Sequence, residues 1–266
     1  MIRLSLLMIL FAAISSCARN AVTGRKQLKV SSEAEIHSRA AEQYKQFLAT
    51  HKVVETGSGY SDADMLQRVG DRLSIAVKNY FGDLQNSAVL ANYAWEFKLV
   101  ESREVSLWCM PGGKVVVYTG LLSVTQNETG LAIVLAHVIT HDLAKHLHPG
   151  MTRPIAKQLG GVGLSVAEVN KPIETQLPSR PDTTEPDTEG LLPFTRRQEQ
   201  EADRLGLHLA AIAGYDPGQA LKTWEQASRA FLNNRPPQLT KTHPLDAKRI
   251  SAMREEMARA ALYYRP

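Results

Sequence analysis

Leu131–Leu143 reads LAIVLAHVITHDL, and within it His137 and His141 stand four residues apart in a run free of helix breakers. Positions i and i+4 share one face of an α-helix, so two imidazoles at this spacing point the same way and can reach one metal ion. Asn127 as N-cap and Glu128 in the first turn predict where the helix begins, and Pro149 bounds its end. Leu131, Val134, Leu135, Val138 and Leu143 give it a broad apolar surface. Alone, the pair is weak evidence. A chain with eight histidines produces such a spacing by chance fairly often, and zinc asks for a third protein ligand.

A candidate for that ligand lies downstream. Arg196–Pro217 reads RRQEQEADRLGLHLAAIAGYDP, with helical periodicity from Thr195 until Gly214, a good C′ glycine. Glu199 and Asp203 are again i and i+4. A glutamate completes a His₂Glu set, and an aspartate one turn on can hydrogen-bond a ligand histidine and fix its tautomer. The competing reading is a solvated acidic face paired with Arg196, Arg197 and Arg204, and charge pattern alone favours it. Glu201 falls on another side of the helix and reads as structural. His146 and His148 read as polar residues near the dipole at the first helix's C-terminus.

The rest of the chain bounds the function. At 266 residues, 44% hydrophobic and 22% charged, it has the composition of one globular domain with appendages. The net charge is +4, the basic residues are scattered and aromatics are 6%, so there is no nucleic-acid stripe. No 20–50-residue repeat argues for a solenoid. Met1–Arg3 is a short basic start, and the apolar run Leu4–Ile14 is too short to span a bilayer, so it reads as a secretory signal. Ile14-Ser15-Ser16-Cys17 resembles a bacterial lipobox, which makes Cys17 the lipidated mature N-terminus and a membrane anchor; the alternative is a plain signal peptide with an incidental cysteine. Ala18 resembles the sorting position of outer-membrane cargo. The expected organisation is a signal peptide over 1–16, a lipidated tether over 17–30 and one domain over 31–266. Cys109, the other cysteine, is then without a disulfide partner and reads as a small buried apolar residue.

Ser32-Glu33-Ala34-Glu35 is a capping box opening a helix to about Ala49. A second helix follows Ser61, with Met65, Val69, Leu73 and Val77 at spacings of four. Trp95–Val100 (WEFKLV) and Lys114–Tyr118 (KVVVY) read as strands, with a turn at Met110-Pro111-Gly112-Gly113. Stretch 149–194 carries Pro149, Pro154, Pro172, Pro178, Pro181, Pro186 and Pro193, and it reads as a mobile loop. Two further helices are expected near 217–231 and 244–262. The fold class is α+β, mostly helical, with one small sheet beside the HVITH helix.

Five segments in order resemble one family. AVTGRKQLKVSSEAE, MPGGKVVVYTGLL, LAIVLAHVITHDLAKH, RRQEQEADRLGL with AGYDP, and KTHPLDAKRI resemble segments of the zinc metallopeptidases that include the CAAX prenyl protease, the mitochondrial Oma protease and the periplasmic β-barrel-assembly-enhancing protease. The resemblance implies a zincin-like (gluzincin) fold, one Zn²⁺ ion held by His137, His141 and Glu199, and Asp203 orienting a ligand histidine. It also implies that Glu201 matches a glutamate frequent in the family, that His243 can approach or cap the metal, and that Arg249 is a cleft arginine. A helix start and a solvated cation are the blander readings of those last two. Implied partners are polypeptides, including unfolded envelope proteins, and the implied location is the cell envelope, at the outer membrane facing the periplasm.

Two departures qualify this. The family's metal helix carries H-E-x-x-H, whose glutamate deprotonates the attacking water and protonates the leaving amine, and here Val138 occupies the general-base position. Losing general acid–base help typically removes roughly 10²–10⁴ in rate. Asp142 lies about 6 Å further along the helix axis, too far to stand in. Upstream, Ser106-Leu107 replaces the Asn-Ala usual in the substrate-aligning edge strand. Three readings follow: a zinc-binding lipoprotein that has lost ordinary proteolysis and acts by binding polypeptides, an active metalloendopeptidase cleaving misfolded envelope or outer-membrane proteins, and a metal-free structural lipoprotein. Keeping His137, His141 and Glu199 together argues against the third, because such groups are costly to bury without a role.

Overall fold

The computed structural model describes residues 17–19, 26–28, 33–57, 62–146, 194–230 and 238–266. The expected signal peptide, nearly all of the expected 149–194 loop, Ser32 of the first capping box and His148 lie outside the described residues, and so does the side chain of Cys17.

Strands β1 (Cys17–Arg19) and β2 (Lys26–Leu28) pair antiparallel within the stretch expected as a tether. Helix α1 (Glu33–Thr50) follows, then β3 (Val53–Val54) and helix α2 (Asp62–Asp83). Strands β4 (Glu96–Val100), β5 (Leu107–Met110) and β6 (Lys114–Tyr118) complete a sheet of order β3-β4-β6-β5, in which only β4 and β6 run parallel. Side chains alternate across it. Val100, Met110, Val116 and Tyr118 face Ala40, Tyr44 and Phe47 of α1, while Phe97, Leu99, Leu107, Cys109, Val115 and Val117 join the main core. With both faces covered, β6 is buried without a break from Val115 to Tyr118, as the VVVY part of its sequence requires.

Helix α3 (Thr119–Thr125) leads into α4 (Glu128–Leu143), the HVITH helix. Asn127 caps α4 as expected, its side chain accepting from the Gly130 N–H at 2.9 Å. Every residue from Gly130 to His141 is buried, so α4 is the central element and needs no polar face. It stops at Leu143, well before Pro149. Lys145 adopts a left-handed conformation (φ 55°), the Lys145 N–H donates to Asp142 O at 2.9 Å, and the His146 N–H donates to His141 O at 2.7 Å. This is a Schellman closure with lysine where glycine is usual, and Lys145 is tied down by an ion pair to Glu33 of α1.

Helix α5 (Arg196–Ile212) is opened by Thr195 in a capping box with Gln198 and closed at Gly214 (φ 80°), with Tyr215 N–H donating to Ala210 O. It lies against α4 at a point of very close approach. A Cβ on Gly206 would sit 2.9 Å from His137 Cα and 3.0 Å from His137 N. These are backbone atoms of a central helix and cannot swing aside. Gly206→Ala is therefore expected to cost about 1–3 kcal/mol, as overpacked cores do, and to weaken metal uptake by prising α5 from His137. Urea unfolding and zinc titration measure both; a stability within 0.5 kcal/mol of the parent would contradict the packing described.

The C-terminal part is helix α6 (Ala220–Arg229) after a 3₁₀ turn at Pro217–Gln219, helix α7 (Gln238–Thr242) and helix α8 (Ala247–Ala260). The last begins later than the expected position near 244, because Asp246 is its N-cap and accepts from the Arg249 N–H at 2.8 Å. Helices α3 and α7 have no counterpart in the periodicity reading: five to seven residues give too few turns to show a period. Among the described residues no helix is long and apolar enough to cross a membrane.

Candidate metal centre

Four side chains from three parts of the chain meet at the junction of α4 and α5. His137 and His141 project from the middle and end of α4, Glu199 from the first turn of α5, and His243 from the connection between α7 and α8. All four are buried. His137 Nε2 is 3.1 Å from His141 Nε2 and 3.2 Å from His243 Nδ1. Glu199 Oε1 is 2.9 Å from His243 Nδ1 and 3.3 Å from His141 Nε2, and Glu199 Oε2 is 3.5 Å from His137 Nε2.

These separations test the fit to a metal. Nitrogen and oxygen donors about 2.0–2.1 Å from a tetrahedral centre stand about 3.3 Å from one another. One donor atom from each of the four residues lies within 4.8 Å of the others, and four of the pairs among His137 Nε2, His141 Nε2, His243 Nδ1 and Glu199 Oε1 stand between 2.9 and 3.3 Å. The donor set of imidazoles and one carboxylate suits zinc among the common divalent ions. The residues present therefore fit a bound zinc ion.

Charge around the cluster is organised by Arg249, which is 1% exposed. Its Nε and Nη2 each donate to an Asp203 oxygen at 2.8 Å, a bidentate pair. Its Nη1 stands 2.5 Å from Glu199 Oε2 and donates to His243 O at 3.1 Å. Trp224 of α6 packs beneath the guanidinium, 4.4 Å from carbon to ring centroid. One cation thus holds two carboxylates and the backbone of a candidate ligand. The reading of Arg249 as a solvated cation is overturned. So is the acidic-face reading of Glu199 and Asp203, since Arg196 pairs instead with Asp246 and Arg197 with Glu201.

Asp203 sits behind His137, its Oδ1 2.9 Å from His137 Nδ1. The contact is close but off the hydrogen-bond direction, leaving that nitrogen without an aligned partner. Burial by itself would lower the His137 pKa, yet the neighbouring Glu199 and Asp203 carboxylates outweigh it and the value is raised. His141 and His243 go the other way: burial dominates the attraction of Glu199 and lowers both. Burial would raise Glu199 and Asp203, but for Glu199 the charges of His243, Arg249 and His137 prevail, and for Asp203 those of Arg249 and His137, so both stay ionised below their usual range.

Aromatic rings close the cluster. Phe194 lies with its ring centroid 3.8 Å from that of His141 and 5.0 Å from that of His243, and Trp224 meets His137 edge-on at 4.9 Å. Val138, between the two histidines, is buried at 6% exposure and belongs to the main core cluster. Asp142, one turn on, has its carboxyl among Tyr93, Cys109 and the Gly113 backbone, and burial raises it to about 7. Cys109 is a buried free thiol in the core, as expected. Ser106 and Leu107 are buried at the start of the edge strand, and the Val105 carbonyl just before it accepts from the Leu239 N–H of α7 at 3.3 Å.

Three contributors escaped the sequence reading. Phe194 and Trp224 carry no pattern that marks them. His146 was assigned to the helix dipole, but it is 3% exposed and touches His141, with Nδ1 3.2 Å from His141 Nδ1. The five-residue spacing from His141 and the absence of a C′ glycine hid that fold-back.

Residues 72–257, more than half of the chain, match the sequence profile of peptidase family M48. The chain belongs to peptidase family M48. The β-barrel assembly-enhancing protease of Escherichia coli K12 is 30% identical over 167 residues, 60% of this chain and 34% of that one. The mitochondrial metalloendopeptidase OMA1 of Saccharomyces cerevisiae is 29% identical over 213 residues, 72% of this chain and 58% of that one. Its counterpart of Arabidopsis thaliana is 32% identical over 180 residues, 66% and 35%. The chain thus spans about a third of the length of the β-barrel assembly-enhancing proteases it matches. His137, His141, Glu199, Asp203, His243 and Arg249 all fall inside the M48 match.

Proposed function

We propose that this chain is an M48 member of the bacterial cell envelope that keeps a zinc site, with His137, His141 and Glu199 as ligands and Asp203 behind His137, while ordinary peptide hydrolysis is absent or strongly reduced. Its role is then to bind unfolded envelope or outer-membrane polypeptides. Lipidation at Cys17 anchors it at the outer membrane, facing the periplasm.

One observation carries the loss of hydrolysis. The aliphatic Val138 stands at the general-base position, and Asp142, one turn on, lies among Tyr93, Cys109 and the Gly113 backbone. His243 is a fourth buried donor within reach of the same centre. The Val105–Leu239 contact also occupies backbone next to the edge strand that a peptide would join. His137, His141 and Glu199 would hold a zinc ion, braced by Arg249 and Asp203, and the ion would supply Lewis-acid polarisation of a peptide carbonyl; no side chain at the Val138 position moves a proton.

The test is zinc content and cleavage on the soluble protein beginning after Cys17. Elemental analysis should give one zinc per chain, and casein should survive incubation with the zinc-loaded protein. Removing the metal with a chelator is expected to lower stability by about 2–3 kcal/mol where free zinc had stood at about 100 times its Kd. Chelator-sensitive casein cleavage by the unaltered protein would establish the active endopeptidase that the relatives' names suggest, and absence of zinc would leave a structural role.

A further inference from the structure

We propose that His146, held by Glu201, is a positioning residue that fixes His141 as its Nδ1–H tautomer and so aims the Nε2 lone pair at the metal centre. The inference rests on the metal assignment of the preceding section. It starts from the end of α4. The Schellman closure at Lys145 turns the chain back, and the His146 N–H bonds to the carbonyl of His141 itself at 2.7 Å. That backbone bond brings the two rings together, with centroids 5.1 Å apart and planes at 69°.

The contacts then run in one direction. His146 Nε2 is 2.9 Å from Glu201 Oε2, and Glu201 is braced by Arg197 at 3.2 Å. An ionised carboxylate only accepts, so His146 Nε2 carries the hydrogen. In the neutral ring this leaves His146 Nδ1 as an acceptor. It lies 3.2 Å from His141 Nδ1, which must therefore donate. His141 Nε2 is left with its lone pair, and that atom is the one 3.1 Å from His137 Nε2 in the cluster. His137 has a carboxylate at its own far nitrogen, Asp203. Each helix histidine is thus backed by an acid of α5, one directly and one through an imidazole. Both acids lie in the N-terminal half of α5, and the relay lets Glu201, on a different side of that helix, serve His141.

The experiment has two readouts on the same soluble chain. Long-range proton–nitrogen correlation spectra of the metal-free protein report imidazole tautomers, and competition with a chromophoric chelator reports zinc affinity. The expected results are an Nδ1–H tautomer at His141 and zinc binding weakened roughly 10–100-fold in His146→Phe, the usual cost of losing an orienting partner. His146→Asn should lose less, because its amide oxygen can still accept from His141 Nδ1. If His146→Phe does not fold, Glu201→Leu serves in its place and should release the tautomer. An Nε2–H tautomer at His141 in the unaltered protein, or His146→Phe binding zinc within twofold of it, would overturn the proposal. Failure of the unaltered protein to take up zinc strikes the metal assignment alone, and the tautomer at His141 still decides the relay.

Discussion

Replacing Val138 by glutamate is expected to raise chelator-sensitive casein cleavage by roughly 10²–10⁴, the contribution of a positioned general acid–base. The residue follows His137 directly on α4, on the side of the helix that also carries Asp142. Asp142 cannot be recruited, because its carboxyl lies about 6 Å further along the axis by helical rise and is enclosed by Tyr93, Cys109 and Gly113. Val138 retains 6% exposure, unlike its neighbours Ala136 and Ile139 at 0%, so a carboxylate there has an edge toward solvent and need not unfold the core. His243 should limit the gain by filling the fourth donor position, and adding His243→Ala to Val138→Glu should raise cleavage further. Equal cleavage by the unaltered protein and Val138→Glu would end the pseudoprotease reading. Zinc content and thermal midpoint of each variant serve as controls for loss of metal or fold.

The second large effect belongs to Arg249. Arg249→Met in the metal-free protein is expected to cost about 3–5 kcal/mol, the usual result of removing one partner from a buried ion pair. Asp203 and Glu199 would be left as two buried carboxylates with no guanidinium, and the His243 and Pro244 carbonyls would lose a donor. Adding Asp203→Asn should recover part of the loss, since it removes one stranded charge. The pH dependence follows with a definite sign. Asp203 and Glu199 have folded-state pKa values below their unfolded ones, so their contribution is fully present above about pH 4–5 and is lost as pH falls through the folded values. Arg249→Met should flatten that acid limb. Urea unfolding between pH 3 and 7 measures both effects; a loss under 1 kcal/mol would mean the guanidinium is not the clamp described.

Much of this was open to reading in one dimension, and the reasons differ by element. Helix α4 was legible because Asn127 and Glu128 mark its start and its i, i+4 histidines share a face. Helix α5 was legible from its period, which sets in at Thr195, and from Gly214. β4 and β6 showed as β-rich runs beside a Pro-Gly-Gly turn. The C-terminal end of α4 was not legible, since Pro149 suggested a later stop and a lysine in a left-handed conformation leaves no trace in composition. On charge pattern alone Glu199 and Asp203 read better as surface acids, because charge spacing along a helix does not say which side is covered.

The sequence by itself determined which residues could act as a metal set and where the helices carrying them begin: these are local matters of spacing, capping and side-chain chemistry. It also determined that Val138 cannot move a proton, wherever it lies. Only the tertiary structure decided that Glu199 and Asp203 turn inward, that Arg249 is buried between them, and that His243 and His146 join the two helix histidines. Those outcomes depend on Gly206 letting α5 approach α4 and on the Schellman turn folding His146 back, which place groups tens of residues apart within 3 Å or so of one another. Burial then sets their cost and their protonation, and burial is a property of the packed chain that no single segment carries.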